Sequence, residues 1–156
     1  MKNWNKRGIE GLPLKLMLIS LMVSLALPAV IGSLDSYEAS VAKASMRTSA
    51  EELAAAATEV LVAGEGNVRT VAVEISSSAS RGDGRIEVGG ATGISFSLGV
   101  RCVYNGAVFH TEYMSDPPVH LIAPGGEISI GPGITEVTLS CIRSDSRLVV
   151  LMEVTA

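Results

Sequence analysis

Charged residues, aromatic residues and cysteines are all scarce in this chain of 156 residues. Charged residues make up 18% of it and aromatic residues 4%, whereas hydrophobic residues make up 47%. A composition this apolar excludes an intrinsically disordered chain. The net charge of −4 argues against a nucleic-acid partner, because phosphate binding needs a basic surface. The two cysteines are too few for a four-thiolate zinc site and allow one disulfide at most.

Catalytic and ligand-binding motifs are also lacking. His110 and His120 lie about ten residues apart without a third metal ligand at a recognisable spacing, so both are expected at a surface or a sheet edge. No serine lies in a Gly-x-Ser-x-Gly elbow, and no glycine-rich segment follows a strand and opens a helix. Arg81-Gly82-Asp83 is interpreted as part of a polar turn. The sequence therefore predicts no enzyme activity, no cofactor and no metal.

Charge is distributed very unevenly along the chain. Residues 1–15 hold four basic residues against the single Glu10, and the remainder holds eight basic and fifteen acidic residues. Between these parts, residues 16–32 form an apolar run without a charged residue. Positive charge before an apolar run keeps that end in the cytoplasm, so the acidic remainder is expected to be translocated.

The apolar run has three interpretations. It fits a conventional signal peptide, with a cleavage site near Val30, Ile31 and Gly32. It also fits a plain membrane anchor, since about 17 residues is the short limit for a spanning helix. The third interpretation is the hydrophobic stem of a prepilin, which is cut before the apolar run rather than after it.

The helical pattern continues beyond the apolar run, which favours a stem that stays on the mature protein. Residues 34–63 contain no glycine or proline and are rich in good helix formers, and Gly64 is a natural stop. Six apolar residues of this region fall roughly along one side of the helix: Tyr37, Val41, Ala44, Leu53, Ala57 and Val60. A helix that is apolar first and amphipathic later is typical of a stalk that packs against other stalks.

The N-terminal segment contains Lys6-Arg7-Gly8, then Ile9-Glu10-Gly11-Leu12-Pro13-Leu14-Lys15-Leu16, followed by the apolar run. This arrangement resembles the class III signal peptide of archaeal type IV pilin-like proteins. It implies a basic leader that includes Lys6 and Arg7, cleavage by a prepilin peptidase after Gly8, and a mature N-terminus at Ile9. The family often places a glutamate five residues after the cut; that position is Pro13 here, so Glu10 is the candidate for the assembly role.

The resemblance implies an α+β, type IV pilin-like fold and a filament function. The expected organisation is a prepilin-type leader at 1–8, a stalk helix at 9–64 and an extracellular β-sandwich domain at 65–156. The chain would be inserted in the membrane as a precursor and then assemble, through its stems, into a homo-oligomeric surface filament of the type IV pilus class. The alternative is a monomeric, membrane-anchored extracellular β-domain that binds a surface ligand or partner.

The residues after Gly64 alternate with the period of β-strands. The strands are predicted near 71–75 and at 94–104, 107–113, 119–122, 127–130, 135–143 and 147–154, with a further short edge strand at 85–88. Asn105-Gly106 predicts a two-residue hairpin turn, because both residue types tolerate positive φ. Seven or eight short strands at this spacing predict an antiparallel β-sandwich. A chain that begins near Val68 is then expected to be soluble and monomeric.

The cysteines are predicted to form a disulfide. Cys102 shares its strand face with Val100, and Cys141 shares its face with Leu139, so both side chains should point into the sandwich. A translocated domain lies where a disulfide can persist. The interpretation left open beside it is two buried free thiols that pack as small apolar groups.

Overall fold

The computed structural model describes residues 7–89, 96–144 and 146–155. The chain divides into two compact units, Met1–Tyr37 and Glu38–Ala156. The described part of the first unit is entirely helical, and the second unit contains the rest of that helix together with every described strand. The predicted α+β class with a long N-terminal helix is confirmed.

Helix α1 runs from Arg7 to Ala63 and passes through both Pro13 and Pro28. It ends where the sequence predicted, at Gly64, whose φ of 92° lies in the left-handed region that glycine adopts readily. The Gly64 N–H donates to the carbonyl oxygen of Leu61 at 3.1 Å, which closes the last turn.

One face of the second half of α1 is buried within the second unit. Its members recur every three or four residues, the period of a helix face. They are Ala42, Met46, Ser49, Ala50, Leu53, Ala54, Ala56, Ala57 and Val60. Of the apolar residues expected to pack against other stalks, Leu53, Ala57 and Val60 are instead buried in the chain's own core, whereas Tyr37, Val41 and Ala44 are exposed. Tyr37 lies in the first unit, in which all residues from 13 to 37 are exposed, so burial of the face begins only at Ala42.

Nine strands follow the helix in the described residues. They are β1 (Val68–Ile75), β2 (Arg85–Gly89), β3 (Phe96–Ser97), β4 (Gly99–Tyr104), β5 (Ala107–Tyr113), β6 (Leu121–Ile122), β7 (Glu127–Ile130), β8 (Gly133–Ser144) and β9 (Arg147–Thr155). A short 3-10 helix at Ser77–Gly82, which the sequence reading did not predict, separates β1 from β2.

The strands form two sheets. The order is β1-β8-β9-β6-β3 in the five-stranded sheet and β5-β4-β2-β7 in the four-stranded sheet. Every pairing is antiparallel except β6 with β9, which is parallel and joins Leu121 to Val150. The predicted antiparallel arrangement therefore holds for all the described pairs but this one. The edge position expected for the strand at 85–88 is wrong, since β2 pairs with β4 on one side and β7 on the other.

The long strand predicted at 94–104 is divided between the two sheets. β3 pairs with β6 in the five-stranded sheet, and β4 pairs with β2 and β5 in the four-stranded sheet. The change occurs at Leu98, which is 40% exposed, and at Gly99, where a Cβ would lie 3.0 Å from Thr111 Cγ2. The predicted position of Ile94 lies outside the described residues. The predicted hairpin turn is confirmed, with positive φ at Asn105 and Gly106.

The helix and both sheets contribute to one hydrophobic core. Met46 and Leu53 of α1, Leu139 of β8 and Ile86 of β2 all belong to a single cluster of buried residues. The core therefore does not begin at Val68: the helix residues from Ala42 onward are part of it.

Candidate functional site: the apolar helix segment and its neighbours

The first unit presents an uncovered apolar surface. All residues from 13 to 37 are exposed, and the large apolar side chains among them lie on all sides of the helix. They are Leu14, Leu16, Met17, Leu18, Ile19, Leu21, Met22, Val23, Leu25, Leu27, Val30, Ile31, Leu34 and Tyr37. A helix that is apolar all round needs lipid or protein on every side.

This part of α1 is apolar enough to cross a membrane. The helix contains an 18-residue window with a mean hydropathy of 2.2, none of it buried, and it is the one candidate span among the described residues. The charge-free residues between Lys15 and Asp35 extend about 28 Å at 1.5 Å per residue, close to a hydrocarbon core of about 30 Å. A membrane anchor or a signal segment meets the same criteria.

Serine hydroxyls within the segment are satisfied by the helix itself. Ser20 Oγ donates to the carbonyl oxygen of Met17 at 2.9 Å, and Ser24 Oγ donates to that of Ser20 at 2.8 Å. Ser36 Oγ donates to the carbonyl oxygen of Gly32 at 2.9 Å. A hydroxyl that bonds one turn back needs no water, so these serines are compatible with an environment that excludes water.

Small residues form a stripe along the same segment. Ala26, Ala29, Ser33 and Ser36 follow one another at steps of three or four and are all exposed. Two small residues further along the helix, Ala39 and Ala42, differ from these: Ala39 is half-buried and Ala42 is fully buried in the second unit. Ala42 therefore packs against its own strands and is not accessible to another stem.

The predicted processing residues lie at the start of the described chain. Lys6 lies outside the described residues. Arg7 is the first residue of α1, and the backbone of Gly8, Ile9 and Glu10 continues that helix.

The predicted disulfide between Cys102 and Cys141 is wrong, since both cysteines are free and buried. Cys102 lies in β4 of the four-stranded sheet and Cys141 in β8 of the five-stranded sheet. The Cys102 thiol is 3.5 Å from the carbonyl oxygen of Met46, so it faces helix α1. Strand alternation correctly placed both thiols in the core, but it did not place the helix there.

Burial weakens the acidity of both thiols. It raises the pKa of Cys102 to about 11, and the negative charges of Glu112 and Glu51 act in the same direction. Burial also raises the pKa of Cys141; the charge of Glu65 adds to this effect and that of Arg143 opposes it. Neither thiol has the lowered pKa of a reactive cysteine.

A cluster of metal-ligand side chains joins α1 to β5. One ligand atom each from Glu51, His110 and Glu112 lies within 4.8 Å of the others. Glu51 is exposed, whereas His110 and Glu112 are half-buried. The sequence shows no third ligand for His110 at a recognisable spacing, because Glu51 is 59 positions away and no local motif connects the two residues. His120 lies outside this cluster.

The Arg81-Gly82-Asp83 segment lies at the end of the 3-10 helix, and each of its residues contacts a side chain elsewhere in the chain. Arg81 forms an ion pair with Glu38, and a Cβ on Gly82 would lie 2.2 Å from the Tyr104 ring. Asp83 is the C-cap in the left-handed region, with its Oδ2 2.5 Å from Arg85 Nη1. These contacts agree with the interpretation of a structural turn.

Comparison of the chain with family models, with curated proteins and with solved structures finds no match.

Proposed function

We propose that this protein is a structural subunit of an archaeal type IV pilus-like surface filament, assembled through its N-terminal helix after removal of a short leader. The observation that carries the proposal is the uncovered apolar surface of residues 13–37. The helix that bears this surface continues to the residues that complete the core. Lipid would cover this surface in the precursor, and other copies of the same helix would cover it in the filament.

The small-residue stripe supports packing between helices. Helices surrounded by lipid associate through close van der Waals contact, which small residues permit. Ala26, Ala29 and Ser33 would let a neighbouring stem approach closely, and the internally bonded serines would enter such an interface without an unsatisfied hydroxyl.

Processing belongs to the same proposal. A prepilin peptidase would cut after Gly8, remove the leader with Lys6 and Arg7, and leave Ile9 with a new α-amino group. A glycine before the cut lets the protease approach the backbone closely. Glu10 would pair with the N-terminal amine of a neighbouring subunit during assembly. The charge distribution orients the precursor with the leader in the cytoplasm and the acidic second unit outside.

The N-terminal sequence of the native mature protein tests the processing step. We expect it to begin at Ile9, and Gly8→Arg should leave full-length precursor in the membrane. Gly11→Arg is the matched control, since it adds the same charge close to the apolar run but leaves the cleavage glycine intact. A native N-terminus at Ser33 would show a conventional signal peptide and contradict the proposal.

Shearing of intact cells tests the filament itself. A filament subunit should appear in the sheared, polymeric fraction with its helix attached. The alternative function, a monomeric anchored β-domain that binds a surface ligand or partner, predicts that the mature chain stays with the membranes. That result, combined with an unprocessed N-terminus at Met1, would replace the proposal with a plain anchor.

A further inference from the structure

We infer that Glu51, His110 and Glu112 form a binding site for a divalent transition-metal ion, with zinc as the representative ion. The site would link helix α1 to strand β5 inside the second unit. The inference rests on these side chains alone and does not depend on the filament proposal.

The donor set has the right chemistry. An imidazole nitrogen together with carboxylate oxygens suits zinc and its neighbours in the first transition row, whereas calcium and magnesium prefer oxygen ligands alone. Three protein ligands are what an open zinc site provides, with water in the fourth position. The nearby cleft of about 300 Å³, lined by Glu51, Glu112 and Asp116 among others, gives an ion and its water access.

The geometry around His110 matches a shared ion. Its Nε2 lies 3.3 Å from Glu112 Oε2. Two ligand atoms that are each about 2.1 Å from one ion, at the tetrahedral angle, lie about 3.4 Å apart. No described residue hydrogen-bonds to this Nε2, although the atom is buried. A buried nitrogen that makes no hydrogen bond is costly, and coordination to an ion would remove that cost.

Glu51 would complete the site from the helix. Its Oε1 pairs with Arg47 Nε at 2.9 Å, one turn away on the same exposed helix surface. A carboxylate has two oxygens and about four lone-pair positions, so this ion pair leaves Glu51 able to bind a cation. The Glu51 side chain is 48% exposed and therefore has space to adjust toward the ion.

Such an ion would fasten the helix to the strands. Binding to the folded state alone stabilises it by mass action, so zinc should raise the melting temperature of the chain. The ion would connect positions that are 59 residues apart in sequence, between elements that otherwise meet through packing and a few polar contacts.

Equilibrium dialysis of the full chain in detergent micelles against zinc chloride, with magnesium in excess, tests the inference. We expect one zinc ion per chain and a higher melting temperature. Glu51→Gln and Glu112→Gln, both at partly exposed positions, should each lower the zinc affinity by at least about tenfold. Substitution of residues that only hydrogen-bond to metal ligands already costs about tenfold or more, and loss of a ligand should cost at least as much. His110→Gln should do the same.

His120→Gln and Cys141→Ala are the matched controls and should retain zinc with the affinity of the parent chain. Zinc binding that survives the Glu51, His110 and Glu112 substitutions would overturn the assignment and direct attention to the thiols. Absence of stoichiometric zinc binding by the parent chain would also overturn the assignment.

Discussion

Ser49 Oγ on helix α1 donates a hydrogen bond of 2.6 Å to the carbonyl oxygen of Glu74 on strand β1. Ser49 is only 5% exposed, so this bond is made inside the core. One turn earlier, Ser45 Oγ donates to the same carbonyl oxygen at 3.2 Å and accepts from the Ser76 N–H at 3.0 Å. Two serines of the helix thus satisfy the backbone where β1 ends.

We expect Ser49→Ala to destabilise the chain by about 1 kcal/mol, the net value of one hydrogen bond. The loss stays small because Ser45 still donates to the Glu74 oxygen. Urea unfolding of the full chain in detergent measures the change. Thr48→Ala is the matched control, since Thr48 is the exposed neighbour on the same helix and should change stability by less than about 0.5 kcal/mol. Equal losses in both variants would contradict the assigned role of Ser49.

Truncation tests whether the second half of α1 is part of the core. A chain that begins at Glu38 should fold, because Glu38–Ala156 forms one compact unit. A chain that begins at Val68 should remain unfolded or aggregate, since it lacks Met46, Leu53 and the buried alanines of the helix. Amide proton dispersion in NMR spectra separates the two outcomes. A folded, monomeric protein that begins at Val68 would show that the strands need no helix.

Lys43 connects the helix to the β4–β5 hairpin through two aromatic rings. Its Nζ lies 5.2 Å from the centre of the Tyr104 ring and 5.7 Å from that of Phe109. We expect Lys43→Met to lower the free energy of unfolding by about 0.5–1 kcal/mol, the usual range for cation–π contacts at accessible sites. Lys43→Arg should retain most of the stabilisation, because it keeps the positive charge. Thermal unfolding of the three chains measures this. An equal melting temperature for Lys43→Met and the parent chain would show that these contacts do not stabilise the fold.

Both thiols should be free and slow to react in the folded protein. Burial raises the pKa of Cys102 to about 11, so at pH 8 only a very small fraction is thiolate, and the thiolate is the form that reacts. Intact mass after alkylation should show almost no adduct in native protein and two adducts in urea, without a reducing agent. If both cysteines resist alkylation in urea and react only after a reductant is added, the protein contains the disulfide.

A larger side chain within the small-residue stripe should reduce packing between stems. Ala29→Leu makes the helix more apolar, so the precursor should still enter the membrane, but the larger side chain should block close approach of a neighbouring stem. If the chain forms the proposed filament, the sheared fraction should contain fewer filaments while the membrane level of the protein is unchanged. Val30→Leu is the matched control, because Val30 points about 100° away around the helix and already carries bulk. Equal loss of filaments with both variants would argue against a stripe-specific contact.

Local patterns were sufficient for most of the secondary structure. The end of α1 at Gly64, the turn at Asn105-Gly106 and the positions of most strands depend on residues close together in sequence, such as positive-φ residues and two-residue alternation. The buried positions of Cys102 and Cys141 followed from the same alternation. The parallel pairing of β6 with β9 could not be predicted in this way, because alternation indicates a strand's faces but not its partners.

The sequence by itself determined that a charge-free apolar run within a helix precedes an acidic, strand-rich region, since composition and periodicity are local properties of the chain. Only the tertiary structure decided that the helix from Ala42 to Val60 completes the core, that Cys102 faces Met46 rather than Cys141, and that Glu51 meets His110. Each of these is a contact between residues far apart in sequence. Such contacts depend on which elements pack together in three dimensions, and no period along the chain encodes that.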